Sequence, residues 1–183
     1  MANGMESAVE GSEVLVVGGG IAGCSAAYFL AKFGIRVTLL ERGEVAGEAS
    51  GLNAGSMGGL GWGNTPGLQE HLTMGSLEIF RQLELDMGYD IEFRRSGSMT
   101  AIHNETQCKY ALERLVALRS GGFIGELMTS REARSIEPGL NPDLPAYFYS
   151  PLRGQADPVK TTRALADAAV ACGAVITTRA EVK

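Results

Sequence analysis

Cysteine and histidine are scarce in this sequence. The three cysteines, Cys24, Cys108 and Cys172, form no C-x-x-C pair, and the two histidines, His71 and His103, stand alone. Nothing has metal-ligand spacing, which argues against a zinc or other metal site. An odd, sparse cysteine set suits a reducing cytoplasm better than an oxidising exterior. Positive charge is short as well: Lys plus Arg is 16 against 21 for Asp plus Glu, a formal net charge of −5, with no local run of basic residues. Nucleic acid is therefore not an expected partner. The opening MANGMESAVEGSE lacks both the positive start and the apolar stretch of a secretory signal, and residues 1–12 are expected to be disordered.

Glycine, by contrast, is abundant. There are 25 glycines in 183 residues, about twice the usual share of roughly 7%, and they follow no collagen-like period. Such an excess means backbone that turns tightly or lies against something. With 45% hydrophobic and 20% charged residues, the chain is a folded domain rather than a disordered one.

One stretch, Val14 to Ala31, runs eighteen residues without a charge, long enough to raise the question of a membrane span. Four glycines interrupt it, and it divides into a β-branched run and an alanine-rich helical pattern. A buried strand, a turn and a helix explain it better, so membrane association is not indicated.

The pattern predicts a fully buried strand over 13–18, a helix over 20–33 with Ala22, Ala26, Phe29, Leu30 and Phe33 along one face, and a second strand over 35–41. This is a β-α-β unit. A Gly/Ala/Ser/Asn-rich loop follows from Gly43 to about Gly67. Beyond it the sequence predicts an amphipathic helix from Leu68 to Met87, stopped by Gly88, and a strand pair over 91–102 around Gly97. A helix over 105–119 follows, presenting Tyr110, Leu112, Leu115, Val116 and Leu118, and then a short helix capped by Ser130. Asp157-Pro158 opens a last helix, running to Cys172 and stopped by Gly173, before a strand at AVITT.

The chemical signal is Gly18-Gly19-Gly20-Ile21-Ala22-Gly23, a G-x-G-x-x-G between a predicted strand and a predicted helix. Its context is the required one: a second strand follows, and Glu41 lies eighteen residues beyond Gly23. Gly18 makes the turn, Gly20 lets backbone approach a pyrophosphate, and Gly23 lets helix pack on strand. Free amides at the helix start then face the phosphates. Glu41 can accept hydrogen bonds from ribose hydroxyls, and its charge disfavours a 2′-phosphate. The plain alternative, a tight turn beside a solvated carboxylate, does not account for all these features together. Arg42 either lies beside the adenosine or is merely exposed.

VLVVGGGIAGCSAAYFLAKFGIRVTLLER followed by AGEASGLNAGSMGG resembles the start of the FAD-dependent amine and D-amino-acid oxidoreductases, the group of glycine oxidase, sarcosine oxidase and D-amino-acid dehydrogenases. The second segment discriminates, since NAD dehydrogenases do not follow strand two with Ala49-Ser50-x-x-Asn53-Ala54-Gly55. SIEPGL and GQADPVKTTRALADAAVACGA fit the same family in order and spacing, so the resemblance runs from Glu13 onward. It implies an α/β fold: a Rossmann-type FAD-binding β-α-β with an interleaved α+β substrate-domain segment, truncated relative to the family. The expected division is 13–67 and 156–183 for the FAD-binding domain and 68–155 for a partial substrate domain.

The resemblance further implies FAD contacts at Gly18, Gly20, Ile21, Ala22, Gly23, Glu41 and Arg42, and at Ala49, Ser50, Asn53, Ala54, Gly55 and Ser56 on the flavin side. Val182 matches a position whose backbone meets the adenine. Some relatives carry a flavin-linking histidine where this chain has Asn53, so the FAD is expected to be non-covalent. The implied reaction is oxidation of the C–N bond of a small amino acid or N-methyl amine by hydride transfer to the flavin.

No residue is assigned a catalytic role. His103 is expected to be surface or structural, and Arg94 and Arg95 fit an exposed strand edge better than a carboxylate site. Trp62 either walls a substrate cavity or packs a lid. Relatives continue well past the point matching Lys183, so the expected partners are a small amine or amino-acid substrate and either a completing polypeptide or a second copy of the chain. The competing expectation is a non-catalytic FAD-binding fragment or one chain of a split flavoenzyme.

Overall fold

The computed structural model describes residues 11–58 and 68–183. In chain order these form β1 (Val14–Val17), α1 (Ile21–Lys32), β2 (Val37–Leu40), β3 (Ser56–Met57), α2 (Leu68–Arg81), a π-helical turn (Gln82–Asp86), β4 (Ser98–Ile102) and α3 (Glu105–Ser120). Then come β5 (Glu126–Met128), α4 (Ser130–Ile136), β6 (Ala146–Ser150), β7 (Gly154–Gln155), α5 (Pro158–Ala171) and β8 (Val175–Thr177). The chain divides into two compact units. One comprises the chain up to Gly55 with Gln82–Glu92 and Ala156–Lys183, and the other comprises Ser56–Arg81 with Phe93–Gln155. Among the described residues no helix is long and apolar enough to cross a membrane.

The first unit is a parallel sheet in the order β1-β2-β8, with Val14 beside Val37 and Thr38 beside Val175. β2, held between two strands, is buried along all of Val37–Leu40. β1 corrects the expectation of a fully buried strand. It lies at an end of this sheet and alternates, leaving Leu15 47% and Val17 65% exposed, as period-2 side chains do when one face is covered and the other is not.

α1 packs on α5. Its buried stripe is Cys24, Ala27, Tyr28 and Ala31, the same i, i+3, i+4, i+7 spacing expected but turned to a neighbouring face; Phe33 is 81% exposed. The reason is size. α5 buries Ala164, Ala166, Ala168 and Ala169, and small side chains on both helices bring the two backbones close. Asp157 caps α5 as expected, its Oδ1 accepting the Lys160 N–H at 2.7 Å with Pro158 in the first turn.

Residues 82–92 fall in this first unit, interrupting the 68–155 span expected to form one segment. Leu83 and Ile91 are buried, and the Ile91 carbonyl accepts the Asp157 N–H at 2.9 Å. The helix expected to continue to Met87 changes pitch to reach this position, becoming a π-turn whose end is marked by the Met87 N–H bonding the Gln82 carbonyl.

The second unit centres on an antiparallel sheet in the order β4-β6-β5. The strand pair expected around Gly97 does not form. Ser98–Ile102 pairs instead with Ala146–Ser150, and Arg94 makes only an isolated bridge to Gln155. Ile102, Ala111, Leu115, Leu118, Phe123 and Phe148 build the core. On α3 the buried positions are Ala111, Arg114, Leu115 and Leu118, while Tyr110, Leu112 and Val116 of the expected apolar face are exposed. α4 is capped by Thr129 rather than Ser130. Thr129 Oγ1 accepts the Glu132 N–H at 3.3 Å and Glu132 Oε2 accepts the Thr129 N–H at 2.8 Å, a reciprocal capping box. Ser130 Oγ donates to the Leu144 carbonyl instead.

Candidate functional site

The turn from β1 into α1 is where the sequence motif becomes geometry. Gly18 leaves the sheet at φ +107°, a conformation that side chains rarely adopt, while its N–H stays tied to the Leu40 carbonyl at 2.8 Å. Gly20 is the helix N-cap and contributes no side-chain cap, and no acid occupies the first turn of α1. The orientation of the Ala22 and Gly23 amides in the first turn of α1, and the helix dipole, favour an anion there. Gly23 faces the Gly18 carbonyl so closely that a Cβ would run into it. This lets the helix start directly above the strand end.

Glu41 follows β2 and folds back onto this turn. Its Oε2 accepts the Gly19 N–H at 2.5 Å and its Oε1 accepts the Gly43 N–H at 2.6 Å. The bond from Gly43, then that from Gly19, hold the carboxyl below the usual carboxylate range against the opposing effect of its burial. Gly19, the middle glycine, has no role of its own in the G-x-G-x-x-G pattern. A Cβ there would stand 2.9 Å from Glu41 Cγ, so the absence of a side chain is what lets the carboxylate reach the backbone. Arg42 is exposed and pairs with Glu48 at 3.1 Å.

The ASGLNAG loop brings Ser50 to the same place, where Ser50 Oγ accepts the Ile21 N–H at 3.0 Å. Asn53 is the loop's brace. Its Nδ2 donates to the carbonyls of Ala49 and Ser50 at 3.2 and 3.0 Å, and its Oδ1 accepts the Gly55 N–H at 2.8 Å. Ala22, Ala49 and Ala54 are exposed beside these turns, and Ser56 belongs to the second unit, paired with Gln155. After β8 the Ala180 N–H donates to the Glu41 carbonyl and the Arg179 N–H to that of Gly43, with Arg179 also paired to Glu44 at 3.1 Å. Sequence reasoning missed Arg179, which has no motif signature. Val182 lies just beyond and is exposed.

His103 is exposed, its N–H bonded to Gln107 Oε1, and Arg94 and Arg95 are exposed too. Trp62 lies outside the described residues. Among the described residues no group of His, Cys, Asp and Glu could hold a metal. Within the second unit, an apolar cavity of about 630 Å³ is lined by Met57, Gly58, Leu68, Leu72, Leu77 and Phe80, among others.

Comparison with known proteins matches residues 13–183 to the family model of FAD dependent oxidoreductases. Among curated relatives, the chain is 33% identical over 172 residues to the anaerobic glycerol-3-phosphate dehydrogenase subunit A1 of Haloferax volcanii, covering 92% of this chain and 28% of that protein. It is 32% identical over 176 residues to human mitochondrial dimethylglycine dehydrogenase, covering 90% of this chain and 19% of that protein. Among solved structures, it superimposes on L-proline dehydrogenase from P. horikoshii with TM-score 0.84, 28% identity and coverage of 94% of this chain and 45% of that one. Glycine oxidase from Geobacillus kaustophilus gives TM-score 0.81 and 28% identity, over 93% of this chain and 47% of that one. The chain thus spans less than half the length of each of these relatives. With the glycine turn, the bridging carboxylate and a family match extending from Glu13 to Lys183 in agreement, this chain belongs to the FAD-dependent oxidoreductases.

Proposed function

We propose that the first unit binds the ADP half of FAD, and that the protein serves an oxidoreductase acting on the C–N bond of a small amino acid or N-methyl amine. The observation that carries the reading is the pair of bonds from Gly19 and Gly43 to Glu41. They hold a charged acceptor at the end of β2, beside the head of α1, whose Ile21 N–H bonds Ser50 Oγ. The fit to the cofactor rests on that cradle. The α1 amides suit the diphosphate, the Glu41 carboxylate suits ribose hydroxyls, and the glycine positions leave no side chain in the way. Arg42 and the backbone near Val182 are placed on the adenosine side by this reading, and the loop from Ala49 to Gly55 on the flavin side.

When bound, the flavin would supply the acceptor for a hydride. Nothing in the ASGLNAG loop offers a histidine for covalent attachment, and the Asn53 amide is committed to its own loop, which supports non-covalent binding. The names of similar proteins, dimethylglycine dehydrogenase and glycine oxidase, support an amine substrate. A second reading, oxidation of a glycerol phosphate at carbon, is favoured by the Haloferax relative. Three cysteines outside any disulfide support a cytoplasmic setting.

The test begins with the purified chain and added FAD. Gel filtration should leave the protein yellow, with the visible absorption band of a bound flavin. Anaerobic addition of glycine, sarcosine, dimethylglycine or D-alanine to the flavin-loaded protein should bleach that band, whereas glycerol 3-phosphate should not. Bleaching by glycerol 3-phosphate alone would select the second reading. A colourless protein at saturating FAD would overturn both.

A further inference from the structure

The loop after α4 folds back over that helix and is pinned along its length. Near its start the Arg134 Nε–H donates to the Pro138 carbonyl at 3.3 Å. Further on, the hydroxyl of Tyr147, buried on β6, donates to the Asn141 carbonyl at 2.9 Å, and Ser130 Oγ donates to the Leu144 carbonyl. Helix and loop frame a cavity of about 380 Å³ lined by Ser130, Arg131, Arg134, Ser135 and Pro142. It lies wholly in the second unit and, among the described residues, shares no lining with the apolar cavity.

Two cations and no anion line it. Arg131 and Arg134 stand three residues apart on α4, which makes them neighbours on the helix surface, where like charges repel. Among the described residues no carboxylate forms an ion pair with either. The acids of the same segment are turned elsewhere or lie outside the lining. Glu132 Oε2 accepts the Thr129 N–H at 2.8 Å, Glu137 Oε1 accepts the Gly139 N–H at 3.1 Å, and Asp143 is exposed just after Pro142. An anion with several oxygens would relieve the repulsion and engage both guanidinium groups. Two fixed positive charges match a phosphoryl dianion better than a single carboxylate.

The serines add a second requirement. Ser135 Oγ donates its proton to the Glu132 carbonyl at 2.6 Å, as Ser130 Oγ does to that of Leu144. Each hydroxyl oxygen then has only acceptor capacity left for a ligand, which suits O–H groups rather than further anionic oxygen. The cavity is also larger than a bare ion needs and falls within the range of small-molecule sites, roughly 300–1,000 Å³.

We propose that α4 and the loop after it form a binding site for a small hydroxylated phosphomonoester. Arg131 and Arg134 hold its phosphoryl group, and Ser130 and Ser135 accept hydrogen bonds from its hydroxyls. The site is independent of the flavin reading, since it uses none of the residues assigned to FAD.

The experiment uses the whole 183-residue chain with saturating FAD in phosphate-free buffer. Ribose 5-phosphate is the test compound and inorganic phosphate the second arm, with ribose, and sodium chloride at matched ionic strength, as controls. Melting temperature is followed against concentration. Arginine side chains labelled with nitrogen-15 report contact directly, the two resonances being assigned from R131K and R134K. Ribose 5-phosphate should raise the melting temperature saturably and shift both Nε–H resonances, and neither control should do so. R131Q and R134Q should each weaken this binding roughly tenfold. Both side chains are exposed, so the double variant should melt like the parent without ligand and lose the protection. Inorganic phosphate should shift the same resonances but bind more weakly, and equal affinity for the two overturns the part given to the serines. Unmoved resonances in the parent overturn the site, as does protection that survives in R131Q/R134Q, which would place the phosphate elsewhere. If the double variant melts lower, the parent's resonances alone decide. A colourless protein that still shows the shifts overturns only the flavin reading, and a yellow one without them overturns only this site.

Discussion

The Glu41 carboxylate accepts the amide hydrogen of Gly19 at 2.5 Å across twenty-two residues of sequence, so the end of the second strand and the turn leaving the first are one polar unit. Because Glu41 Oε1 also holds the Gly43 N–H, replacing this side chain should disturb both turns at once. A hydrogen bond to a charged group contributes about 1.5–3 kcal/mol. Glu41→Gln should therefore weaken FAD binding by roughly ten- to a hundredfold, measured by flavin fluorescence titration. A dissociation constant within about twofold of the parent would show that Glu41 does not serve the nucleotide.

The same pair sets a pH response. The two amide bonds favour the charged carboxylate and lower its pKa from the ordinary 4.5. A lowered folded-state pKa contributes stability that is fully present above the unfolded-state value and is lost as pH falls through the folded one. The melting temperature of the parent should thus fall more steeply below about pH 4.5 than that of E41Q. Parallel curves would contradict the assignment.

Two glycines make opposite predictions. At Gly23 a methyl group would enter the Gly18 carbonyl, and Gly23→Ala should cost about 1–3 kcal/mol as α1 is pushed off β1. Gly75, within α2, has open space where its Cβ would be, so Gly75→Ala should add roughly 0.5–1 kcal/mol. Urea denaturation of both variants checks the signs.

Thr129, not Ser130, caps α4. Thr129→Ala should cost about 1 kcal/mol and speed hydrogen exchange at the Glu132 amide. Ser130→Ala should leave that amide protected.

Cys24 is fully buried in α1, and burial, followed by the nearby Glu41 charge, pushes its thiol up to about 11. Cys172 is exposed. At pH 8 a thiol reagent should label Cys172 rapidly and Cys24 only on unfolding, as read by mass spectrometry of digested protein.

Much of this was written locally. The G-x-G-x-x-G run, the acid after the second strand and the Asp-Pro start of α5 each act within one turn or one β-α-β unit, so neighbouring residues specify them. The role of Gly19 was not legible, because it depends on where a side chain twenty-two positions away comes to rest. Nor was the β4–β6 pairing. The partner of Ser98–Ile102 lies at Ala146–Ser150, and alternation along one strand carries no information about which distant strand will bond it.

By itself, then, the sequence determined the elements and the nucleotide-type turn, since dihedral preference, capping and apolar period are properties of short segments. Tertiary structure decided the rest: which face of α1 is buried, that residues 82–92 join the first unit, and that β4 pairs with β6. Each of these is fixed by what packs against a segment from far along the chain, and close packing lets small side chains such as those of α5 override a larger apolar stripe.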